Sequence, residues 1–396
     1  MINYADRAAL SSVFALLREQ LHLSDASLGL VGAVFLWSYA LFSPFAGYLA
    51  DRYSRTMVIG WSLALWSLVT GLTGLANGFA ALVLLRILLG LTESLFLPSA
   101  IALLADHHGV KTRGSAMALL SVGIALGGII GGTSVGYLAE HYGWRSGFFI
   151  LGLLGIGLAF LSSLFLTDGP TKPVAKADRL SFAVALRYLA RVPTYYLLMG
   201  KTMLAGIGTW IFFSWMPLYF HDTFGLGLAA AAFAGTFTFS AAGMLGTAVG
   251  GWLSDRVASR DSRHRMLLLA VSYFASTPFL LTFLFHPSLT LVTAAIVAYS
   301  ILRGLGAANE NPCLCEVVPP QFRSTAVGIM NCMATAAGGG GVLVAGILKK
   351  DFGLAMVFGG VSVVIFLAGA AMLTGYYVFM RRDIGRAQVY ATTAGA

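Results

Sequence analysis

The sequence is built from blocks of roughly 20 apolar residues that recur along nearly its whole length, the span a helix needs to cross a ~30 Å hydrocarbon core. Lipid offers no water to satisfy a bare backbone N–H or C=O, so a crossing segment must be a helix or a strand of a closed barrel. Barrel strands alternate apolar and polar residues within segments of about 10, whereas these runs are apolar on every side. The chain is therefore expected to be an all-α polytopic membrane protein. Charge agrees: 10% of its 396 residues are Asp, Glu, Lys or Arg, against about 25% in ordinary globular chains. Setting aside a polar stretch and a tail leaves room for about twelve helices of roughly 30 residues each, turns included. The expected plan is a six-helix half over 1–167, a cytoplasmic linker over 168–192, a second six-helix half over 193–380 and a cytoplasmic tail over 381–396.

The formal net charge of +9 does not point to nucleic acid, because the basic residues form no single stripe. They follow the positive-inside rule instead. Arg52 and Arg55 follow the second helix, Lys111 and Arg113 the fourth, Arg256 to Arg265 the eighth and Arg323 the tenth. Others lie between Lys172 and Arg191 and in the tail at Arg381, Arg382 and Arg386, and only Arg18, Arg145, Lys349 and Lys350 fall on the other side. Both termini and the linker are thus expected in the cytoplasm, in a bacterial inner membrane. The first helix is expected to be cut short, with the native start upstream of Met1: only 17 residues precede Arg18, and the uncharged run from Ala8 to Leu17 is ten long. No basic n-region or small-residue cleavage site marks a signal peptide.

Two local patterns occur twice, in the same order. Gly47-Tyr-Leu-Ala-Asp51-Arg52-Tyr-Ser-Arg55 follows the second helix, and Gly251-Trp-Leu-Ser-Asp255-Arg256 follows the eighth. Asp106, six residues, then Arg113 follows the fourth helix, and Glu316, six residues, then Arg323 follows the tenth. Such duplication is the usual plan of secondary transporters, with a midplane site between pseudo-symmetric halves. The repeated G-x-x-x-D-R resembles the loop motif of the major facilitator superfamily. Physically, the Arg residues of these turns can make charge-assisted bonds to Asp106 and Glu316 that exist only when the halves close on the inside. Gly47, Asp51, Arg52, Arg55, Asp106, Arg113, Asp255, Arg256, Glu316 and Arg323 are accordingly candidate gating residues.

Ionisable residues inside apolar spans are few, and each costs at least ~2.5 to 3.5 kcal/mol at a helix centre, so they are the first candidates for function. The first helix carries Asn3-Tyr4-Ala5-Asp6-Arg7, the fourth Arg86 and Glu93, the seventh Lys201, the tenth Arg303 and Glu310. A guanidinium meets a carboxylate bidentately, and a carboxylate in a dry cavity can load and release a proton, so Arg7 with Glu93 reads as an anion clamp beside a proton switch. The alternative is an ion-pair set that only fixes the first and fourth helices together. Asn-Tyr-x-Asp-Arg, the Arg86-x6-Glu93 spacing and Trp215-Met-Pro217-Leu-Tyr219 together are similar to the anion:cation symporter family, which includes bacterial galactonate and hexuronate symporters and the sialin relatives. That resemblance implies that Arg7 holds a substrate carboxylate, that Asp6 and Glu93 exchange protons, that Tyr4 and Tyr39 bond sugar hydroxyls, and that Arg86 tunes Glu93. Trp215 and Tyr219 join the candidate substrate contacts, with Asn331 of the eleventh helix.

The tenth helix departs from that pattern. Counting back from the loop acids sets Arg303 level with Glu93 and Glu310 level with Ala100, so Arg303 is expected near midplane. There it could bind a second anionic group, the far carboxylate of a dicarboxylate or a phosphate, or pair with Glu310, itself a further candidate for proton coupling. Gly123-x-x-x-Gly127-Gly128-x-x-Gly131-Gly132 in the fifth helix is similar to the antiporter motif of drug exporters but lacks its proline, and reads better as close helix packing. All seven histidines fall at loops or helix ends, and Cys313, Cys315 and Cys332 have no metal-ligand spacing. No cofactor is expected. The chain is expected to be a monomeric, proton-coupled symporter of a small organic anion such as a sugar acid, with a spinster-like or efflux transporter of an amphipathic lipid or drug as the alternative. It carries no HExxH, nucleotide loop or large soluble domain, so no enzyme activity is expected.

Overall fold

The computed structural model describes all residues except 110–111, 169–181, 260, 286 and 395–396, and, for 47–48, 50–51, 113 and 391–394, the backbone only. The described residues are helical almost throughout. Among them, ten helices are long and apolar enough to cross a membrane. The first span, divided at Val13 into Ile2–Ser12 and Phe14–Gln20, falls outside that set and carries Asp6, Arg7, Arg18 and Glu19. The last of the ten holds two spans: within Arg323–Thr374 the backbone turns at Gly353, whose φ of 73° only glycine adopts freely. Among the described residues the total is the expected twelve. They are completed by Asp25–Arg52, Arg55–Thr73, an interrupted fourth span of Phe79–Glu93 and Phe96–His107, Arg113–Tyr142 and Trp144–Phe165. Next in the chain come Pro193–Phe224, Leu228–Ala258, His264–Leu281 and an interrupted tenth span of Leu289–Ala307 and Glu310–Val317.

Side chains that a water-soluble protein would bury stand outward. Leu153 is 71% and Phe160 64% exposed, as expected of helices whose outer faces meet lipid. Helix starts are set by capping. Ser24, Ser54 and Ser288 each accept a bond from the backbone N–H three residues on, at 3.1, 3.2 and 3.3 Å. Asp168 adds a second acceptor at the start of the third span, taking the Thr56 N–H at 3.0 Å. Most of the expected linker lies outside the described residues. Its described end is a short amphipathic helix, Phe182–Leu189, that buries Ala185 and Leu189.

The chain forms two compact units. The first comprises Met1–Ala177, Ile211–Phe237 and Gly339–Asp351. Its helices approach through small residues. A methyl at Gly90 would fall 2.5 Å from the Phe35 carbonyl oxygen, so the second span lies directly against the fourth. A methyl at Gly127 would overlap Met1 and one at Gly131 would overlap Ala5, so the first span lies on the fifth. This is the close packing expected of that glycine series.

The second unit comprises Asp178–Trp210, Thr238–Gly338 and Phe352–Ala396. The eighth span meets the tenth at Gly250, where a methyl would stand 2.6 Å from the Leu305 Cα. The tail forms the helix Met380–Ala394. Its Asp383 is wholly buried and accepts from the Thr194 N–H at 3.0 Å and the Thr194 hydroxyl at 2.7 Å.

Candidate functional site

In the first unit, the interruption of the fourth span builds the site. Its first helix ends at Glu93, which is wholly buried, and the Thr92 carbonyl accepts a bond at 2.7 Å from Ser62 of the third span. The close approach at Gly90 draws the second span in beside it. Arg7, on the first span and 8% exposed, donates from Nε to Glu93 Oε1 at 2.8 Å. Three rings surround its guanidinium: Tyr4 at 4.8 Å, Phe35 at 5.1 Å and Tyr39 at 4.6 Å. Such aromatic walls favour a cation while keeping water from the ion pair.

Asp6 and Arg86 complete a buried group of two acids and two bases that is neutral when all are ionised. Both are 2% exposed. Asp6 lies within electrostatic reach of Glu93 and Arg86 and beside Trp66 and Thr70 of the third span. Yet both Asp6 oxygens, Glu93 Oε2, Arg86 Nε, Trp66 Nε1 and Thr70 Oγ1 lack a hydrogen bond of normal geometry. Buried polar atoms without partners cost free energy comparable to a lost hydrogen bond, and such atoms are where a proton or ligand is most readily accommodated. Trp66 and Thr70 carry no sequence signal, being one aromatic and one hydroxyl among many in apolar helices. Asn3 lies beside Glu93 without a normal hydrogen bond.

Also in the first unit, Trp215 is wholly buried against Phe14, ring centroids 5.2 Å apart, and donates its indole N–H to the Val342 carbonyl at 3.1 Å. Tyr219 is buried with its ring against Phe224 at 5.8 Å. A further ionic ring, which no motif announces, joins four helix ends. Arg18 meets Asp222 through two bonds of 2.9 Å. Lys349 meets Asp25 at 2.7 Å and Asp222 at 3.5 Å, and Arg18 reaches Asp25 at 4.0 Å.

In the second unit, Glu310 opens the second helix of the interrupted tenth span. Its carboxylate pairs with wholly buried Lys201 and accepts from Thr202 at 2.8 Å. The sequence leaves open a pairing of Glu310 with Arg303; the structure excludes it, because Lys201 enters from the seventh span and occupies the carboxylate. Arg303 instead lies 4.7 Å from the Phe239 ring, with Nη1 3.5 Å from Thr209 Oγ1. Asn331 is exposed.

The loop charges also differ from expectation in one respect. Asp106 pairs with Arg55 inside the first unit, and Glu316 pairs with Arg265 at 3.1 Å inside the second. Each acid is thus bound within its own unit, whereas the sequence pattern alone suggests bonds made only when the halves close. The reason is local: each Arg sits in the first turn of the helix that packs beside the acid. Both pairs share a spacing of 210 residues, while Asp51 and Asp255 are 204 apart. The turn after the eighth span is therefore six residues longer, and Arg265 is hidden from a motif search. Arg265 also reaches Asp255 at 3.4 Å. Arg256 lies 3.7 Å over the Trp252 ring, Arg52 is exposed, and Arg323 donates to the Cys315 and Val318 carbonyls at 2.6 and 3.0 Å. The side chains of Asp51 and Arg113 and the surroundings of Gly47 are not among what the structure describes.

Among the described residues, no group of three His, Cys, Asp or Glu side chains could hold a metal ion. The chain is 26% identical to a hexuronate transporter of Bacillus subtilis, over 75% of this chain and 70% of that one. It is 25% identical to the probable galactarate/D-glucarate transporter GarP of Escherichia coli, over 98% and 93%. Its backbone matches the crystal structure of a bacterial homolog of the human lysosomal transporter Spinster, in an inward-facing and unoccupied conformation, with a TM-score of 0.81 at 22% identity, covering 96% of this chain and 95% of that one. The model of the Major Facilitator Superfamily matches residues 1–262 and 236–389. With twelve spans among the described residues, a duplicated loop charge pattern and a family match along nearly its whole length, the chain belongs to the Major Facilitator Superfamily and is a membrane transporter, not an enzyme.

Proposed function

We propose that this transporter carries a small organic anion, of the sugar-acid class, together with protons, by alternating access between a six-helix half over 1–167 and another over 193–380. The observation that carries the reading is the buried Arg7–Glu93 ion pair walled by Tyr4, Phe35 and Tyr39. In that pair the protein's own carboxylate occupies the guanidinium that a substrate carboxylate needs. Protonation of Glu93 removes its charge and frees Arg7 for the incoming anion, so substrate and proton load together. Asp6 and Arg86 complete a group whose total charge rises from zero to +1 on taking up one proton, which favours an anion from outside. The similarity to hexuronate and galactarate/D-glucarate transporters supports the substrate class. Tyr4 and Tyr39 would bond its hydroxyls. Arg52, Arg55, Arg113, Asp51, Asp106, Gly47 and their counterparts Asp255, Arg256, Glu316 and Arg323 would govern opening on the cytoplasmic side, where both termini and the 168–192 linker reside, in a monomer within a bacterial inner membrane.

The test is uptake and binding by the purified chain. In proteoliposomes with an acidic exterior, a labelled hexuronate or aldarate is expected to accumulate above its outside concentration, and a proton ionophore to abolish this. In a thermal-shift series, sugar acids are expected to raise the unfolding temperature because they bind only the folded chain. A rise with lysophospholipid and none with any sugar acid sinks the reading in favour of an amphipathic-lipid carrier.

A further inference from the structure

Exposed arginines gather at one end of the second unit, where the twelfth span ends and the seventh begins. After Gly353 the twelfth span continues to Thr374, about 30 Å of helix, enough to cross the hydrocarbon core. One π-helical turn, Gly375–Phe379, leads from it into the tail helix Met380–Ala394, so Arg382 follows about 12 Å of helix beyond Thr374 and its long side chain can reach the headgroups. The tail helix lies against the helix Phe182–Leu189. The Tyr390 ring is 5.1 Å from Tyr188, and Arg386 donates to the Arg191 carbonyl at 3.2 Å. Arg187 and Arg191, one helical turn apart, are exposed, as are Arg382 and Arg386. Among the described residues, the one acid that pairs within this group is Asp383, and it is poorly placed to neutralise it. It is wholly buried, with one oxygen taken by the Thr194 N–H and hydroxyl. The other stands 3.6 Å from Arg382 and 3.7 Å from Arg386, too far for a hydrogen bond. Four guanidiniums with a single carboxylate leave an excess of three positive charges. Apolar side chains adjoin them: Phe182 and Leu186 on the short helix, and Tyr377 and Val378 at the end of the twelfth span, are all exposed.

We infer that Arg187, Arg191, Arg382 and Arg386 form a headgroup site for an anionic phospholipid, whose phosphate the guanidiniums hold while its acyl chains lie on the apolar side chains beside them. A guanidinium offers a planar fork of donors that matches phosphate oxygens, and clustered basic residues at a membrane surface attract anionic lipid. A soluble anion would match the charge and leave the apolar flanks uncovered; a lipid matches both. An anionic headgroup is preferred to a zwitterionic one because the ammonium of the latter meets the excess positive charge and is repelled. The bound lipid supplies the counter-charge that Asp383 does not, and ties the tail helix to the helix that leads into the seventh span. The site lies wholly within the second unit and does not depend on what the transporter carries.

The experiment measures binding of phosphatidylglycerol and phosphatidylethanolamine with the same acyl chains to the full-length chain in detergent micelles, by native mass spectrometry of the lipid adducts and by thermal unfolding. The wild type is expected to bind phosphatidylglycerol about tenfold or more tighter than phosphatidylethanolamine, and to unfold several degrees higher with the former alone. Arg382→Gln with Arg386→Gln, and Arg187→Gln with Arg191→Gln, are each expected to reduce that preference severalfold, and the four changes together to abolish it. Arg382→Lys with Arg386→Lys keeps the charge and is expected to retain most of it. Arg256→Gln with Arg263→Gln removes the same charge from the turn after the eighth span and is expected to leave the preference unchanged. Equal wild-type affinity for the two lipids overturns the site, as does a preference that survives the four changes or falls as far in the Arg256 and Arg263 variant. Should the fourfold variant fail to fold, the two paired variants decide, since both must lose preference. sn-Glycerol 3-phosphate is expected to give no comparable stabilisation; an equal effect points to a soluble phosphate and overturns the lipid assignment.

Discussion

Arg7 and Glu93 are joined by one hydrogen bond, and the whole chemical proposal turns on whether Glu93 can give up that bond. Glutamine has nearly the same shape and cannot ionise, so Glu93→Gln fixes the neutral form. Substrate binding and exchange between equal pools are expected to persist in this variant. Accumulation driven by a pH gradient is expected to fall to the level of an uncoupled vesicle, because the empty carrier no longer returns by releasing a proton. If the variant still concentrates substrate, coupling resides elsewhere, with Asp6 next in line as the other wholly enclosed acid of the group. These residues are legible in the sequence for a simple reason: charges in apolar helices are so costly that the few present stand out. Their neighbours are not. Trp66 and Thr70 line Asp6, yet an indole and a hydroxyl are ordinary contents of an apolar span, and only the packing of the third span against the first makes them part of the site.

The helices themselves are the most legible level, since length and apolarity decide them, but their interruptions are not. Each break lies one turn before a proline, Pro98 in the fourth span and Pro312 in the tenth, which has no N–H to bond back to Ser94 or Ala308. Pro44 and Pro217, however, stand inside spans that continue unbroken, so a proline alone does not tell a break from a tolerated kink. Tertiary contacts such as the Ser62 bond to Thr92 support the break. Glycine series are legible as packing surfaces but not as partners. In the fifth span the structure separates them: a methyl at Gly131 would overlap Ala5 of the first span, whereas one at Gly123 would meet only the Met1 Cγ at 3.6 Å, an ordinary contact. Gly131→Ala is therefore expected to push the first span outward, at a cost of about 1 to 3 kcal/mol, lowering the unfolding temperature and weakening anion binding through displaced Arg7. Gly123→Ala is expected to be neutral or slightly stabilising, because alanine favours helix over glycine by up to ~1 kcal/mol. Equal effects of the two changes in a thermal unfolding comparison count against the packing assignment.

At the scale of the molecule, the charge distribution in the sequence assigns Arg18 and Lys349 to the outer side, and there its information ends. Sharing a side is necessary for two residues to meet, but it does not say which acids they meet. The structure supplies the partners: Arg18 with Asp222, and Lys349 with Asp25, drawing together the ends of the first, second, seventh and eleventh spans within the first unit. These side chains are between 10% and 32% exposed, so each pair is screened and is worth about 0.2 to 1 kcal/mol, too little to hold a fold yet enough to bias a conformational balance. Any movement that separates the ends of the seventh and eleventh spans from those of the first and second must break the ring. Asp222 is shared by both cations, so Asp222→Asn removes the largest part of the attraction with the least change of shape. A loss near 1 kcal/mol corresponds to about a fivefold shift in population. The expected outcome is a severalfold faster reaction of a cysteine placed at buried Ser12 with a membrane-impermeant maleimide added from outside, in a background where Cys313, Cys315 and Cys332 are serine. Exchanging the charges, as Arg18→Asp with Asp222→Arg, restores one pair of the ring and is expected to slow the labelling again. If Asp222→Asn leaves the rate unchanged, the ring is a passive surface feature, and closure of that end rests on the glycine contacts beneath it, where a methyl at Gly29 would stand 3.0 Å from the Val342 carbonyl oxygen.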